Sequence, residues 1–387
     1  MIPPLQRIIQ ATLLFLPTTF IIPNSFLVLY CIFSIIIFSP QFKANDRLYF
    51  LFIIGVVINF LLGIIIENKL PISLLVNNGL VGSLILVIGY LSARSLNDTT
   101  WRIILFYLFL EVICVYFQFV LGIRYFFPQQ EVINLTTEFQ FTKDVEGTSL
   151  LYFIRPMGLS STSTILAAKI LLGLLLVFML KIKRSRRILL TLLFVGAAII
   201  NFKRSGLVSL GLFFIIIFYI DIIRNGWMNR HTFFTLFCIL IFGSYTSYIV
   251  SQLTRESAFS LNQLSLDIFS TQLSGRISLW EETISFIKNN FFFGNFSERL
   301  ILSTGQYSHN SYLSLLSNHG FFLSMLLIMF FIRRIQEKPI ILIFLFPIFV
   351  DAVFQEDLFW YISLIDQFVL YLLVTRHKSK HWKNPLN

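Results

Sequence analysis

The chain has 387 residues, of which 56% are hydrophobic and only 13% are charged, and its mean hydropathy is +0.80. A soluble globular domain carries about 25% charged residues, so this composition excludes an ordinary water-soluble protein and indicates an integral membrane protein. No stretch is polar enough, for long enough, to build a soluble core. We therefore expect residues 1–387 to form a single integral membrane domain. The three cysteines each lie in an apolar run and are interpreted as packing residues.

Apolar runs recur along the whole sequence, separated by prolines, glycines and clusters of charge. A membrane helix needs about 20 mostly apolar residues. The first run lacks an A-x-A-like cleavage site and is followed at once by a second, which favours a retained span over a signal peptide. The predicted fold is all-α, a polytopic transmembrane helical bundle of about 12 spans, near 6–22, 24–39, 48–66, 72–92, 101–121, 159–180, 188–201, 207–223, 232–250, 311–332, 339–354 and 358–374.

The distribution of lysine and arginine predicts the orientation of the chain. Cytoplasmic loops carry an excess of these residues, and most of the 30 basic residues fall in inner segments if both termini are cytoplasmic. The net charge of +11 is then a consequence of topology, and we expect no nucleic-acid partner.

Two predicted outer segments, residues 122–158 and 251–310, are too long to be plain turns. Long loops in compact domains are usually functional or disordered, so we expect these two large periplasmic loops to hold the function. The sequence contains neither G-x-x-x-x-G-K-[ST] nor H-E-x-x-H. It also has no D-x-D pair at an outer helix end to hold a divalent metal. We therefore expect no cofactor and no metal, and ATP-driven transport is disfavoured.

The second loop contains an amphipathic sequence over residues 274–288. Its apolar face consists of Ile277, Trp280, Ile284 and Ile287. The pattern predicts a helix that lies along the outer membrane interface, with Trp280 at the level of the lipid headgroups. Arg276 is then held near the lipid surface, where it meets either the phosphates of a lipid-linked substrate or bulk headgroups only.

His309 lies where this loop enters the tenth span. We expect it in or just before the first helical turn, where the helix dipole disfavours imidazolium and exposed N–H groups favour an anion. A neutral imidazole beside an anion suits a general base; the alternative is a histidine that only caps the helix. His319, deeper in the same span, is expected to be a buried hydrogen-bonding residue.

Two other groups of charged residues depart from the simple pattern. Lys203 and Arg204 lie on the predicted outer side after a short span, which places Arg204 below the membrane surface, unless this loop faces the cytoplasm. Glu111 and Lys169 lie near mid-depth of their spans. An isolated charge there costs about 2.5–3.5 kcal/mol, so we expect them to pair with each other or with another polar group such as Asp366, as a structural pair rather than a proton relay.

Several short motifs occur in a characteristic order. They are Arg155-Pro-Met-Gly-Leu159, Arg204-Ser-Gly206, Gly275-Arg276-Ile-Ser-Leu-Trp280, Asn290-Phe-Phe-Phe-Gly294, and His309-Asn-Ser-Tyr-Leu313 with Gly320 after it. This ordered set, on a chain of about twelve spans with a large late outer loop, resembles the O-antigen polymerase and O-antigen ligase superfamily of bacterial membrane proteins. The resemblance covers roughly residues 155–355, and the first third of the chain matches only in hydropathy.

The resemblance implies transfer of a saccharide from an undecaprenyl pyrophosphate carrier, at a periplasm-facing site of the bacterial cytoplasmic (inner) membrane, without nucleotide or metal. Arginine makes bidentate contacts with phosphate oxygens and stabilises the charge that develops on a leaving group. This work is assigned to Arg276 and Arg204, with Arg155 and Lys203 as further contacts to the substrate.

His309 would take the proton from the acceptor hydroxyl, with inversion at the anomeric carbon expected for a single displacement. Tyr307, Asn310 and Trp280 are expected to contribute to substrate binding, the first two by orienting the sugars or the imidazole. The implied donor and acceptor are both carrier-linked oligosaccharides, and the surrounding partner is membrane lipid.

The resemblance leaves the acceptor open. A polymerase extends another lipid-linked repeat unit, whereas a ligase transfers polymer to the lipid A core of lipopolysaccharide; the modest outer loop and the short spacing from Arg276 to His309 favour the polymerase. The alternative from another class is a lipid-linked oligosaccharide flippase, but the repeat-related halves expected of a transporter are not evident. A chain-length regulator and a flippase are implied as partner proteins.

Overall fold

The computed structural model of the protein describes residues 4–19, 27–38, 47–67, 81–121, 156–160, 163–201, 203–225, 266–355, 358–359 and 363–374. Within these ranges the chain forms twelve α-helices, two short 3-10 helices and no β-strand. The prediction of an all-α fold is therefore confirmed.

Eleven of the twelve described helices overlap a predicted span. The first five are α1 (Pro4–Phe15), α2 (Leu27–Phe38), α3 (Arg47–Glu67), α4 (Val81–Ser95) and α5 (Asp98–Leu121). The next three are α6 (Ser163–Met179), α7 (Arg184–Asn201) and α8 (Arg204–Asn225). The last four are α9 (Leu266–Asn289), α10 (Ser311–Glu337), α11 (Leu342–Phe354) and α12 (Leu364–Val374). Every predicted span overlaps one of these helices except 232–250, which lies outside the described residues.

Three of the helices are long and apolar enough to cross a membrane. They are α3, α5 and α10, over Arg47–Ile66, Asp98–Val120 and Ser311–Glu337. Several shorter helices, including α6, α8 and α12, are apolar as well. The chain is thus a helical membrane protein, and the number of crossings, their orientation and the membrane that holds them stay predictions.

The chain divides into two compact units. The first comprises Met1–Trp101 and Thr271–Lys383, and the second comprises Arg102–Ser270 and Asn384–Asn387. The first unit therefore holds α1–α4, α10–α12 and most of α9, whereas the second holds α6–α8 and most of α5. Whether the two units act as a single membrane domain stays a prediction.

The first unit has a core in which α3 packs along α10 and α4 packs along α12. Tyr49 stacks on Tyr90 with the ring centroids 5.3 Å apart, and it also contacts Phe330 at 5.2 Å. Gly55 lies against Leu323, because a Cβ at residue 55 would come within 2.3 Å of that side chain. Small residues let membrane helices approach closely, and here one glycine allows α3 to pack tightly on α10.

Helix α10 is broken in its first half at Gly320. This residue has φ 74° and ψ 178°, far from helical values. A Cβ there would lie 2.2 Å from the carbonyl oxygen of Phe292. Only glycine fits, because any other residue would strain the backbone and collide with a main-chain atom.

The residues after α9 fill this break. The amide of Phe321 donates to the carbonyl of Phe291 at 2.8 Å, and the amide of Asn295 donates to the carbonyl of Ser317 at 2.7 Å. Gly294, with φ 60°, approaches so closely that a Cβ there would lie 2.6 Å from the Ser317 oxygen. Two glycines from separate sequence motifs, Gly294 and Gly320, thus meet in one backbone contact.

The second unit contains the predicted pair of buried charges. The Lys169 Nζ lies 3.0 Å from Glu111 Oε2 and 3.1 Å from Oε1, and both side chains are buried. The Ser160 hydroxyl donates to the same carboxylate. The pairing predicted between the helices of spans five and six is confirmed. Asp366, the other partner considered, lies at the start of α12 and accepts hydrogen bonds from Ser363.

Side-chain amides hold the short segment 156–160 in the second unit. Gln118 Oε1 accepts from the amides of Met157 and Gly158 at 3.0 Å and 2.9 Å, and its Nε2 donates to the Gly158 carbonyl at 2.7 Å. Asn201 Nδ2 donates to the Pro156 carbonyl at 3.1 Å. This irregular segment is therefore held by side chains from α5 and α7.

Candidate active site

The amphipathic sequence in the second loop forms a helix, as predicted. Helix α9 spans Leu266–Asn289. Its protein-facing side is centred on Leu279 and Thr283, both buried, which the apolar pattern did not single out. Ile277 and Ile284 are 43% and 41% exposed, so this part of the apolar face is not packed in the protein core.

Arg276 is half-buried on α9 and is anchored at the end of another helix. Its Nη1 donates to the carbonyl of Phe354, the last residue of α11, at 3.1 Å. The last carbonyls of a helix have no partner within the helix. The Arg276 guanidinium supplies a hydrogen-bond donor to one of them. A guanidinium carries five N–H donors in a fixed plane, and this bond uses one of them.

Trp280 ties α9 to the segment that carries His309. The indole Nε1 donates to the carbonyl of Ser308 at 2.9 Å, one residue before the histidine. Further along α9, the Glu282 carboxylate accepts from the Ser303 amide at 2.7 Å. The returning segment after residue 300 is therefore attached to α9 at two levels.

Asn310, and not His309, caps helix α10. The Asn310 side chain accepts from the amides of Tyr312 and Leu313 at 3.0 Å and 3.1 Å. This is the usual geometry of an N-cap asparagine. The alternative of a histidine that only caps the helix is therefore wrong. A role of Asn310 in orienting sugars stays a prediction, since its side-chain oxygen serves the cap.

The first turn of α10 does not offer its amides to an anion. Besides the two amides bound by the cap, the amide of Ser311 donates to the carbonyl of Gln355 at 3.1 Å. The expectation that exposed N–H groups at this helix start favour an anion is thus wrong, because these amides have protein acceptors. An anion at this site would need side chains such as that of Arg276.

His309 occupies the turn just before this cap, where the sequence placed it. Its φ is 48°, and its side chain is half-buried. Left-handed backbone is uncommon for residues other than glycine, although histidine is among the more tolerant. Such conformations cost about 1–3 kcal/mol and cluster at functional sites. The turn lies between Ser308, which binds Trp280, and Asn310, which caps α10.

The attachments of Arg276 and of the His309 segment converge on one point. Arg276 binds the carbonyl of Phe354, and the hydroxyl of Ser311 donates to the carbonyl of the next residue, Gln355, at 2.7 Å. The same hydroxyl accepts from the amide of Leu358 at 3.1 Å. The end of α11 therefore binds both Arg276 and Ser311, the first residue of α10 and the second after His309.

Tyr307 has a neighbour that the sequence analysis missed. The Arg299 guanidinium lies over its ring, with Cζ 3.2 Å from the ring centroid. A cation over a tyrosine ring is favourable, and this contact places a second basic group beside the segment of His309. The available signal was a basic residue on the predicted outer side of the membrane, the same signal that marked Arg276.

The remaining predicted site residues belong to the second unit or lie outside the description. Helix α8 begins at Arg204, and the amide of Leu207 donates to the carbonyl of Lys203 at 3.0 Å. Lys203 is half-buried and lines a small cleft with Asn201 and Gly206. Arg155 lies outside the described residues. Roles of these three basic residues toward a substrate stay predictions.

His319 is a buried hydrogen-bonding residue, as predicted. Its side chain is fully buried, and Nδ1 lies 3.1 Å from the hydroxyl of Ser297. The ring of Phe52 packs edge-on against the imidazole at 5.5 Å. His319 therefore supports the packing of α10 on α3.

Comparison of the chain with family models, with curated proteins and with solved structures finds no match. Among the described residues, no group of three or more His, Cys, Asp or Glu side chains is placed to hold a metal ion. The functional argument therefore depends on the residues and the contacts of this chain.

Proposed function

We propose that this protein is an O-antigen, or surface polysaccharide, polymerase. It joins repeat units linked to undecaprenyl pyrophosphate on the outer face of the cytoplasmic membrane. The observation that carries the proposal is the half-buried His309, which sits beside a helix cap that it does not form, on a segment tied to the helix of Arg276. A catalytic role would explain why a histidine that does not cap the helix occupies a strained turn.

The reaction is a single displacement at the anomeric carbon of the donor. An acceptor hydroxyl forms the new C–O bond while the bond from that carbon to the pyrophosphate breaks, with inversion of configuration. The neutral imidazole of His309 takes the hydroxyl proton as attack proceeds. The bonding electrons leave with the pyrophosphate, which stays on its lipid carrier.

Arg276 acts on the leaving group. Charge develops on the pyrophosphate as the bond breaks, and a guanidinium already held in place costs no reorganisation at that moment. The bond to the Phe354 carbonyl supplies this preorganisation. Removal of one such donor typically costs about 100- to 1,000-fold in rate. The resemblance gives Arg204 of the second unit the same role, which is tested in parallel.

The experiment compares His309→Ala, Arg276→Ala and Arg204→Ala in a strain that lacks only this gene. Each variant is expected to accumulate normally and to lose the ladder of surface polysaccharide, leaving a lipid A core capped by one repeat. Lys288→Ala is the matched control, because Lys288 is an exposed basic residue on α9 and should retain the ladder. Protein level is measured by immunoblot and polymer length on a polysaccharide gel.

Two outcomes contradict the proposal in different ways. An unchanged ladder in both His309→Ala and Arg276→Ala, at normal protein level, would remove the enzymatic interpretation. A deletion strain with a bare core and full-length polymer still attached to the carrier would identify a ligase instead of a polymerase.

A further inference from the structure

The segment after α9 reaches deep along α10, although the sequence placed it in an outer loop. At one end, Trp280 binds the Ser308 carbonyl close to the start of α10. At the other, the amide of Phe321 binds the carbonyl of Phe291 beside the break at Gly320. From Trp280 to Phe291, the chain therefore passes from the level of the start of α10 to the level of the break.

Two helices give similar estimates of this depth. From Ser311 to Gly320, α10 extends about 14 Å at about 1.5 Å per residue. On α3, Asn59 Nδ2 donates to the carbonyl of Phe293 at 2.9 Å. Exposed apolar side chains continue on α3 as far as Ile66, about 10 Å beyond Asn59 at the same rise per residue. The segment therefore lies about 10–14 Å below the end of the apolar surface.

Several backbone amides of the segment bind α10, as the membrane interior requires. Non-helical backbone at membrane depth is tolerated only where protein or a water-filled cavity satisfies its polar groups. The amides of Asn295 and Ser297 donate to the carbonyls of Ser317 and Asn318, both at 2.7 Å. The amide of Leu300 donates to the Asn318 side chain at 2.9 Å.

One side of the segment is apolar and continuous with the exposed surface of α10. Phe291, Phe292 and Phe293 are 42%, 55% and 51% exposed. Phe292 stacks on Phe322 with centroids 5.5 Å apart, and Phe322 is itself exposed, as is Met325 further along α10. Three consecutive exposed phenylalanines fit hydrocarbon and not water.

The exposed surface of α9 carries polar and charged side chains. Glu281, Ser285 and Lys288 lie along the exposed surface of α9 between Trp280 and the end of the helix. Charged side chains at membrane depth almost always face protein or a water-filled cavity. Glu281 and Lys288 therefore require water close to the level where Phe291–Phe293 require lipid.

We propose that α9 from Trp280 onward, together with residues 290–308, forms a re-entrant hairpin. It descends about 10–14 Å into the membrane, turns with Phe291–Phe293 in the lipid, and returns to His309 while Lys288 faces a water-filled crevice. Helix α9 then enters the membrane instead of lying in the interfacial plane. This arrangement does not depend on the chemistry proposed for His309.

The test measures depth with nitroxide labels in the full-length protein. Single cysteines replace Phe292, Lys288, Thr304 or Met325 in a background without the native cysteines, and the protein is reconstituted in phosphatidylcholine–phosphatidylglycerol vesicles. Collision with oxygen reports lipid, and collision with a water-soluble nickel chelate reports water. Thr304 is the exposed control on the returning arm, and Met325 is the lipid-facing control on α10.

The Phe292→Cys label should match Met325→Cys in oxygen collision and be shielded from nickel at least about fivefold relative to Thr304→Cys, because the label sits in hydrocarbon. The Lys288→Cys label should collide with the nickel chelate as often as the Thr304→Cys label does. A Phe292 label that behaves like Thr304 would overturn the hairpin, and a Lys288 label that behaves like Met325 would overturn the crevice. Phe293→Cys, also half exposed, repeats the first measurement if Phe292→Cys fails to fold.

Discussion

Residues 290–300 of the first unit and residues 156–160 of the second unit meet the same requirement with different chemistry. Both leave helical geometry among apolar residues, where each unsatisfied backbone group costs about 1–3 kcal/mol. In the first unit the partners are mainly backbone groups, chiefly the carbonyls of Ser317 and Asn318 in the broken helix. In the second unit the partners are the side chains of Gln118 and Asn201.

The difference predicts which substitutions each unit tolerates. Backbone-to-backbone contact needs close approach, so the first unit depends on positions without a Cβ, such as Gly294 and Gly320. Contact through side chains needs particular polar groups, so the second unit depends on Gln118 and on the charge balance of Glu111 with Lys169. Substitutions that add a Cβ should therefore destabilise the first unit, whereas substitutions that remove a polar group should destabilise the second.

Gly320→Ala should have the largest effect. It adds a Cβ 2.2 Å from the Phe292 oxygen at a position with φ 74°, and overpacking combined with backbone strain should cost about 4 kcal/mol or more. The measurement is thermal unfolding of the purified protein in detergent. Gly305→Ala is the matched control, because Gly305 has a similar φ of 75° with open space around its Cβ. Equal losses in the two variants would show that strain, and not close backbone contact, limits the first unit.

Lys169→Met should have the next largest effect. It leaves the Glu111 carboxylate buried without its cation, and breaking one half of a buried pair costs about 3–5 kcal/mol. The double variant Glu111→Gln with Lys169→Met removes both charges and should recover most of this loss. Chemical denaturation of the three proteins, carried out in the same detergent, measures the recovery. A double variant as unstable as the single one would mean that the charges do not depend on each other.

Gln118→Ala and Asn59→Ala sharpen the comparison with smaller effects. Gln118→Ala removes the partner of three backbone groups in the second unit and should cost about 2 kcal/mol. Asn59→Ala removes one side-chain bond to the Phe293 carbonyl while the backbone contacts of that segment remain, and should cost about 1 kcal/mol. Unfolding midpoints rank the two losses of stability. A larger loss for Asn59→Ala than for Gln118→Ala would contradict the proposed difference between the two units.

Much of the fold could be predicted because its signals are local. Apolar length predicted the described helices, and the amphipathic pattern predicted α9. The cost of an isolated charge in an apolar span predicted that Glu111 and Lys169 would pair. The same reasoning placed His319 in a buried, hydrogen-bonded position.

The candidate site was only partly predictable, because its details depend on contacts between distant residues. The sequence placed His309 before α10 but did not show that Asn310 provides the cap. The helix start was expected to bind an anion, yet its amides are taken by the cap and by Gln355. No local pattern indicates the bond between Arg276 and the Phe354 carbonyl, since the partner is the backbone of a helix far along the chain.

By itself the sequence determined a helical membrane protein with basic residues beside a polar loop, because hydropathy and charge spacing act within a few turns of chain. Only the tertiary structure decided that Gly294 meets Gly320 and that the segment after α9 binds the broken part of α10. Backbone groups that leave a helix must find partners wherever packing supplies them. Those partners lie far apart along the chain, so no single stretch of sequence indicates them.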